Sequence, residues 1–148
     1  MGAHQERDLE EADGEQALTA FLDTNVLVRF LTGDPRALAR KAETILRGTE
    51  QLILPDLILA ELVYVLESFY EQPRSEVADS ARALLALPSI AVADHDLLLR
   101  ALEIYEHLRI DFAEAYLAAL AELSGVGRVA SFDRSLDRVT TVVRIDST

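Results

Sequence analysis

The chain has 148 residues, half of them hydrophobic, which is enough for one domain with a sizeable core. It contains no cysteine, which excludes disulfide bonds, thiolate metal ligands and a cysteine nucleophile. No apolar run reaches the roughly 18 to 20 residues that cross a bilayer, and the first residues lack the apolar stretch of a secretory signal. We therefore expect a cytoplasmic protein without a membrane partner.

The net charge of −12 is divided unevenly along the chain. Residues 1–17 contain six acidic residues and one arginine, a net charge of −5, so that −7 falls on residues 18–148. An acidic segment without aliphatic periodicity buries too little surface to offset the entropy of ordering. We therefore predict a disordered tail over 1–17 and one domain over 18–148. A negative domain is atypical of a general nucleic-acid binder, although bound divalent cations change the local sign at a carboxylate site.

Short apolar strands alternate with amphipathic helices along the domain. The first strand, 19–23, is predicted to be buried and precedes helical spacing over 26–31, which Gly33-Asp34-Pro35 ends. Further strands are predicted at 51–54, 90–93, 128–131 and 141–145, and further helices at 35–47, 55–70, 73–87, 95–108 and 111–123, with a helical turn at 133–137. This alternation predicts an α/β fold in which helices cover both faces of a parallel sheet of about five strands. The carboxyl ends of the strands then share one edge, where such folds bind ligands.

Asp23 and Asp133 each follow a predicted strand and are expected at that edge. Asn25 lies two residues after Asp23, and Ser131 lies two residues before Asp133. The structural alternative for both acids is a helix N-cap, because aspartate, threonine and asparagine side chains accept hydrogen bonds from the first free amides of a helix.

Glu61 lies within the strongly apolar helix 55–70. On a helical wheel Ile58, Leu62 and Phe69 fall on one apolar arc, Glu61 at its margin and Glu67 nearly opposite. The pattern predicts that Glu67 is an ordinary solvated acid. A carboxylate at the margin loses part of its hydration, and no cation lies three or four residues away to compensate. The burial is therefore unfavourable unless a positive group from elsewhere contacts the carboxylate. The alternative is that the Glu61 carboxylate simply reaches water.

Asp111 and Glu114 are three residues apart at the start of the helix 111–123 and so share a face. The alternative reading is compensation of the helix macrodipole, which favours acids in the first turn. Carboxylates brought to one sheet edge repel one another unless cations neutralise them. Oxygen-only ligation suits Mg²⁺ or Mn²⁺ rather than zinc, and one or two such ions can activate water at a phosphodiester. Candidate phosphate contacts are Arg29, Arg36, Arg40, Lys41, Arg128 and Arg134.

Four motifs resemble those of PIN-domain nucleases, in order and spacing, over about residues 19–146. They are 21–27 (FLDTNVL), 59–62 (LAEL), 111–119 (DFAEAYLAA) and 131–133 (SFD). The size of the chain resembles the VapC-type toxin ribonucleases of VapBC toxin–antitoxin pairs.

This resemblance implies a three-layer α/β/α sandwich, a metal-dependent endoribonuclease that hydrolyses RNA, a homodimer, and an antitoxin partner that blocks the site. It places Asp23, Glu61 and Asp133 at family acid positions and gives Asn25 a supporting role through hydrogen bonding. One motif departs from the family, which commonly has aspartate where this chain has Glu114. Either Glu114 still binds the metal ion or Asp111 takes over that role.

The sequence leaves two other functions open. An aspartyl-phosphate phosphatase commonly has a second aspartate two residues after the first, and this chain has Asn25 there. A degenerate PIN-like module would bind RNA or protein without cutting it.

Overall fold

Five strands, six α-helices and one 3₁₀ helix follow one another over residues 18–147, the part of the chain that this computed structural model describes. The predicted tail over 1–17 lies outside the described residues. The elements are β1 (Thr19–Phe21), α1 (Thr24–Thr32), α2 (Arg36–Leu46), β2 (Gln51–Ile53), α3 (Asp56–Ser68), α4 (Arg74–Leu85), β3 (Ile90–Ala91), α5 (His95–His107), α6 (Phe112–Ser124), β4 (Arg128–Ala130), the 3₁₀ helix (Arg134–Arg138) and β5 (Val143–Ile145). The predicted α/β class and the order of its elements are confirmed.

Every strand pairing is parallel, as predicted, but the strands form two sheets instead of one sheet of five. One sheet has the order β1-β2-β3 and the other joins β4 to β5. The strands are only two or three residues long. The alternation of strands and helices predicts the direction of such short strands, but not which strand edges are hydrogen-bonded.

The first strand is exposed, which contradicts the prediction of a buried strand. Thr19, Ala20 and Phe21 are all exposed, and Phe21 keeps 75% of its surface. Burial begins at Leu22, whose amide donates a hydrogen bond to the carbonyl of Ile53. The prediction was wrong because β1 is an edge strand whose side chains, which project from the two faces of the sheet, remain uncovered.

Predicted start and stop signals agree with the observed helix ends. Gly33 follows α1 with φ of 72°, and Gly125 follows α6 with φ of 84°. Both are in the left-handed region that glycine adopts without a steric penalty. At the start of α5, the Asp94 side chain accepts a hydrogen bond from the amide of Leu97 over 3.1 Å, as expected for an N-cap.

Leucine is the most frequent residue type in the core. Leu62 and Leu66 of α3 and Leu98 and Leu102 of α5 belong to one hydrophobic cluster, and all four are fully buried. Complete burial of one such side chain stabilises the fold by about 2 kcal/mol. The helices α5 and α6 pack closely together, and α6 also contacts β4 and the 3₁₀ helix. Over residues 18–147 no helix combines the length and the apolar character needed to span a membrane.

Candidate functional site

Asp23 lies between β1 and α1, at the carboxyl end of its strand. Its backbone takes the N-cap position of α1, but its side chain makes no capping hydrogen bond and is exposed. The capping alternative therefore does not describe this carboxylate. The next residue, Thr24, is buried, and its hydroxyl donates a hydrogen bond to Oε1 of Glu61 over 2.6 Å. This hydrogen bond links α1 to α3 at the residue that follows Asp23.

Glu61 is exposed to solvent, so the expected desolvation of its carboxylate is wrong and the alternative, a carboxylate that reaches water, is observed. The reason is the rotation of α3. Its fully buried side chains are Leu59, Leu62, Val63 and Leu66, whereas Phe69 keeps 76% of its surface. On a wheel of about 100° per residue, this arc is rotated by roughly 60° from the predicted one, away from Glu61.

The same rotation moves Glu67 toward the core. Glu67 is half-buried, not the solvated acid that was predicted, and its Oε2 accepts a hydrogen bond from the hydroxyl of Tyr105. Burial and this bond to Glu67 raise the pKa of Tyr105 above its ordinary value. The Tyr105 hydroxyl is therefore a fixed donor to Glu67 at neutral pH.

Asp111 and Glu114 line one cavity of about 420 Å³ between α3 and the start of α6. Glu67 and Tyr64 of α3 form the opposite wall. Asp111 occupies the N-cap position of α6 but makes no capping hydrogen bond with its side chain, and Glu114 lies in the first turn. The expected shared face of the two acids is observed, and favourable interaction with the helix macrodipole applies to both positions.

Asp133 caps the 3₁₀ helix, which is the structural alternative considered for it. Its Oδ1 accepts a hydrogen bond from the amide of Ser135 over 2.9 Å, and its own amide donates to Oγ of Ser131 over 3.0 Å. Hydrogen bonds from the Ser135 side chain and amide lower the pKa of Asp133, with smaller contributions from Arg138 and Arg144. Asp133 is therefore held as an anion at a fixed place after β4.

The helices that carry these acids are in contact, because α3 packs against both α1 and α6, and α6 packs against the 3₁₀ helix. Within residues 18–147, however, no group of three or more histidine, aspartate or glutamate side chains lies close enough to hold a metal ion. The described carboxylates thus fit Mg²⁺ or Mn²⁺ by the kind of donor they offer, but they are not assembled as a ligand cluster. Carboxylates without a cation between them repel one another.

The candidate phosphate contacts are distributed over several surfaces. Arg29 and Lys41 line a cavity of about 350 Å³ between α1 and α2, together with Asn25. Arg36 and Arg40 are exposed on α2, Arg134 is exposed on the 3₁₀ helix, and Arg128 of β4 lines a separate cavity beside α6. Among these candidates, Arg29 and Lys41 share a cavity with the predicted site residue Asn25.

Sequence reasoning missed Thr24, whose hydroxyl orients Glu61. The Asp-Thr-Asn run contains the signal, but it was interpreted as capping chemistry. Because Thr24 and Glu61 are 37 positions apart, no local pattern indicates their hydrogen bond.

Comparison with known proteins agrees with this fold. Residues 20–142 match the PIN domain family, and this range contains all five candidate acids. Over 122 residues the chain is 26% identical to the VapC ribonuclease of Aquifex aeolicus (strain VF5), an alignment that covers 80% of this chain and 90% of that protein. The chain therefore belongs to the PIN domain family.

Proposed function

We propose that this protein is a metal-dependent endoribonuclease that hydrolyses RNA phosphodiesters. The observation that carries the proposal is the hydrogen bond from Thr24 to Glu61. It joins Glu61 to the residue that follows Asp23, the other predicted acid at the end of β1. A second support is the similarity to a protein that is named a ribonuclease.

Asp23, Glu61, Asp133 and one of Asp111 and Glu114 would hold Mg²⁺ or Mn²⁺, as one ion or as a pair. When bound, such an ion lowers the pKa of a coordinated water and offsets charge on the phosphate. Neighbouring hydroxyl groups and amides orient these carboxylates. Thr24 orients the Glu61 carboxylate, and Ser131 and Ser135 hold Asp133.

The surface between α1 and α2 would bind the RNA backbone next to these acids. Arg29 and Lys41 share a cavity with Asn25, which is two residues from Asp23. Phosphate contacts of this kind position a substrate without reading its sequence. They would also offset the repulsion between RNA and a domain of net negative charge.

The proposal includes a biological setting, the toxin component of a type II toxin–antitoxin pair in the cytoplasm. Its support is the similarity to VapC ribonuclease over most of both chains. An antitoxin protein and a second copy of this chain are the proposed partners. Exposed apolar side chains of α3 and α6 are available for protein contacts, including Leu57 at 77% exposed, Tyr64 at 67% and Leu117 at 43%.

A non-catalytic PIN-like module that binds RNA or protein is the second candidate. One observation favours it, the lack of an assembled carboxylate cluster within residues 18–147. Calorimetric titration of Mn²⁺ into the wild type and into Glu61→Gln separates the two functions. Binding that is weakened by Glu61→Gln supports the nuclease, whereas the absence of site-dependent binding supports the module.

Cleavage of single-stranded RNA with Mg²⁺, Mn²⁺ or a chelator tests the proposed reaction directly. We expect cleavage with either ion, none with chelator, and a loss of at least about 100-fold in Asp23→Asn, because metal ligation is worth several kcal/mol in the transition state. Glu50→Gln removes an exposed carboxylate outside the site and is the matched control. Full metal-dependent cleavage by Asp23→Asn would show that the proposed mechanism is wrong.

A further inference from the structure

The turn between α5 and α6 delivers Asp111 to the site, and its backbone takes an unfavourable conformation. The helix α5 ends at His107, and Arg109 then has φ of 57°. This left-handed region is sparsely occupied by residues other than glycine, so such a turn needs support from the surrounding structure. Asp111 follows two residues later as the N-cap of α6.

Two arginine side chains from other elements supply that support. Nη1 of Arg138 donates hydrogen bonds to the carbonyls of Leu108 and Arg109, over 3.1 and 2.8 Å. Nη1 of Arg74 donates to the carbonyl of Ile110 over 2.8 Å. Three successive carbonyls ahead of Asp111 are thus bound by guanidinium groups, which donate in a planar, fixed geometry.

Arg74 is itself held in place by its neighbours. It also donates to the carbonyl of Tyr105 over 2.8 Å, and its guanidinium lies 4.4 Å from the centre of the Tyr105 ring. The Tyr105 hydroxyl donates to Glu67, which lines the same cavity as Asp111. Arg74 therefore anchors the turn to the core from one side.

Arg138 links the turn to a different part of the site. It is the last residue of the 3₁₀ helix that Asp133 caps. One side chain therefore joins the short segment that begins at Asp133 to the turn that ends at Asp111. In the chain, α6 and β4 separate Asp111 from Asp133.

We propose that Arg138 is a positioning residue, which sets the acids at the start of α6 relative to Asp133. The effect of this positioning on metal binding and cleavage rests on the proposed function. Arg138 is exposed, so its replacement leaves the core intact. It removes the two hydrogen bonds and the small contribution of the Arg138 charge to the lowered pKa of Asp133.

Amide hydrogen exchange over residues 108–115 tests the positioning itself. In Arg138→Ala we expect exchange at these amides to accelerate at least about tenfold, since the turn loses two of its hydrogen bonds. Arg138→Lys keeps a charged donor without the planar guanidinium, and its exchange should lie between those of the wild type and Arg138→Ala. Arg109→Ala is the matched control, because it removes a cation from the same turn but leaves the Arg138 bonds in place, and it should exchange like the wild type.

Mn²⁺ calorimetry and RNA cleavage by the same variants test the consequence. Arg138→Ala should bind Mn²⁺ about tenfold more weakly and show a similar fall in kcat, because residues that orient ligands typically contribute 10- to 100-fold. Its KM for RNA should stay within about twofold of the wild-type value if Arg138 acts through the acids and not on the substrate.

The outcomes distinguish this inference from the proposed function. Wild-type exchange over 108–115 in Arg138→Ala would overturn the positioning role, whatever the cleavage rate. Accelerated exchange with unchanged Mn²⁺ affinity and kcat would overturn its importance for the site. Accelerated exchange in a protein whose wild type neither binds Mn²⁺ nor cuts RNA would support the positioning role and refute the nuclease.

Discussion

The hydroxyl of Thr24 donates a hydrogen bond to Oε1 of Glu61 across the contact between α1 and α3. Thr24 is buried while Glu61 is exposed. Packing therefore fixes the Thr24 hydroxyl, and the hydroxyl in turn orients the Glu61 carboxylate. Hydrogen bonds to ionised groups are stronger than those between neutral groups. The carboxylate of Glu61 therefore has a defined orientation, bonded to the residue that follows Asp23, before any ligand arrives.

Replacement of Thr24 by valine, which has nearly the same shape, should lower the rate of RNA cleavage by about tenfold or more, the usual effect of removing a group that orients a ligand. Stability should fall by less than about 1.5 kcal/mol, because water can replace the donor at an exposed carboxylate. Cleavage kinetics and urea unfolding measure the two effects. Thr24→Ser keeps the hydroxyl and should cut RNA at nearly the wild-type rate, and equal rates for valine and serine would refute the orienting role.

Substitutions at Asp111 and Glu114 should identify which acid binds the metal ion. Glu114 is half-buried and Asp111 is exposed, although both line the same cavity. We expect Glu114→Gln to lose at least about 100-fold in kcat and Glu114→Asp to stay within about tenfold, because aspartate keeps the charge. Asp111→Asn should lose less than Glu114→Gln. The opposite order, measured in the same cleavage assay, would assign the metal to Asp111.

Lys41 should contribute to RNA binding rather than to the chemical step, since it lies with Arg29 beside Asn25. Lys41→Gln should raise KM several-fold, leave kcat unchanged, and reduce the slope of log affinity against log salt by about 0.7, the value for one single-strand phosphate contact. Arg47→Gln is a control for charge, because Arg47 is exposed and paired with Glu43. A salt slope that Lys41→Gln leaves unchanged would exclude the contact.

Glu122 should make stability depend on pH. Arg100 donates to both of its carboxylate oxygens, over 2.7 and 3.1 Å, and Thr141 donates to one of them. Hydrogen bonds from Arg100, and then from Thr141, lower the pKa of Glu122 below its ordinary value of 4.5. A carboxylate with a lowered folded-state pKa stabilises the fold above its unfolded-state pKa, and this contribution disappears as pH falls through the folded-state pKa.

The pH dependence is measured by urea unfolding of the wild type and Glu122→Gln. At pH 7 the variant should be less stable by about 1 kcal/mol, the upper part of the range for partly exposed ion pairs. The two proteins should converge as pH falls through the lowered folded-state pKa of Glu122, because the wild-type carboxylate then becomes protonated. A difference that stays constant from pH 7 to pH 2 would show that the ion pair is not its cause.

Local features of the fold were predictable because their causes lie within a few residues. Gly33 ends α1 and Asp94 caps α5 through hydrogen bonds that span four residues or fewer, and Gly125 ends α6 through its own left-handed backbone conformation. The face of α3 was predicted incorrectly, since the wheel shows which residues are apolar but not which neighbours α3 meets. Packing rotated that face, which exposed Glu61 and half-buried Glu67.

The amino-acid sequence alone determined the α/β class and the order of the elements, because periodicity and helix ends are properties of neighbouring positions. It also predicted the candidate acids from the spacing of their motifs. Only the tertiary structure decided that the strands form two sheets and that Thr24 donates a hydrogen bond to Glu61. It also decided that Arg138, at the end of the 3₁₀ helix that follows Asp133, binds the turn before Asp111. Each of these contacts joins residues about 30 or more positions apart or elements that meet only on folding. Their partners are selected by the packing of the whole chain, so no local pattern encodes them.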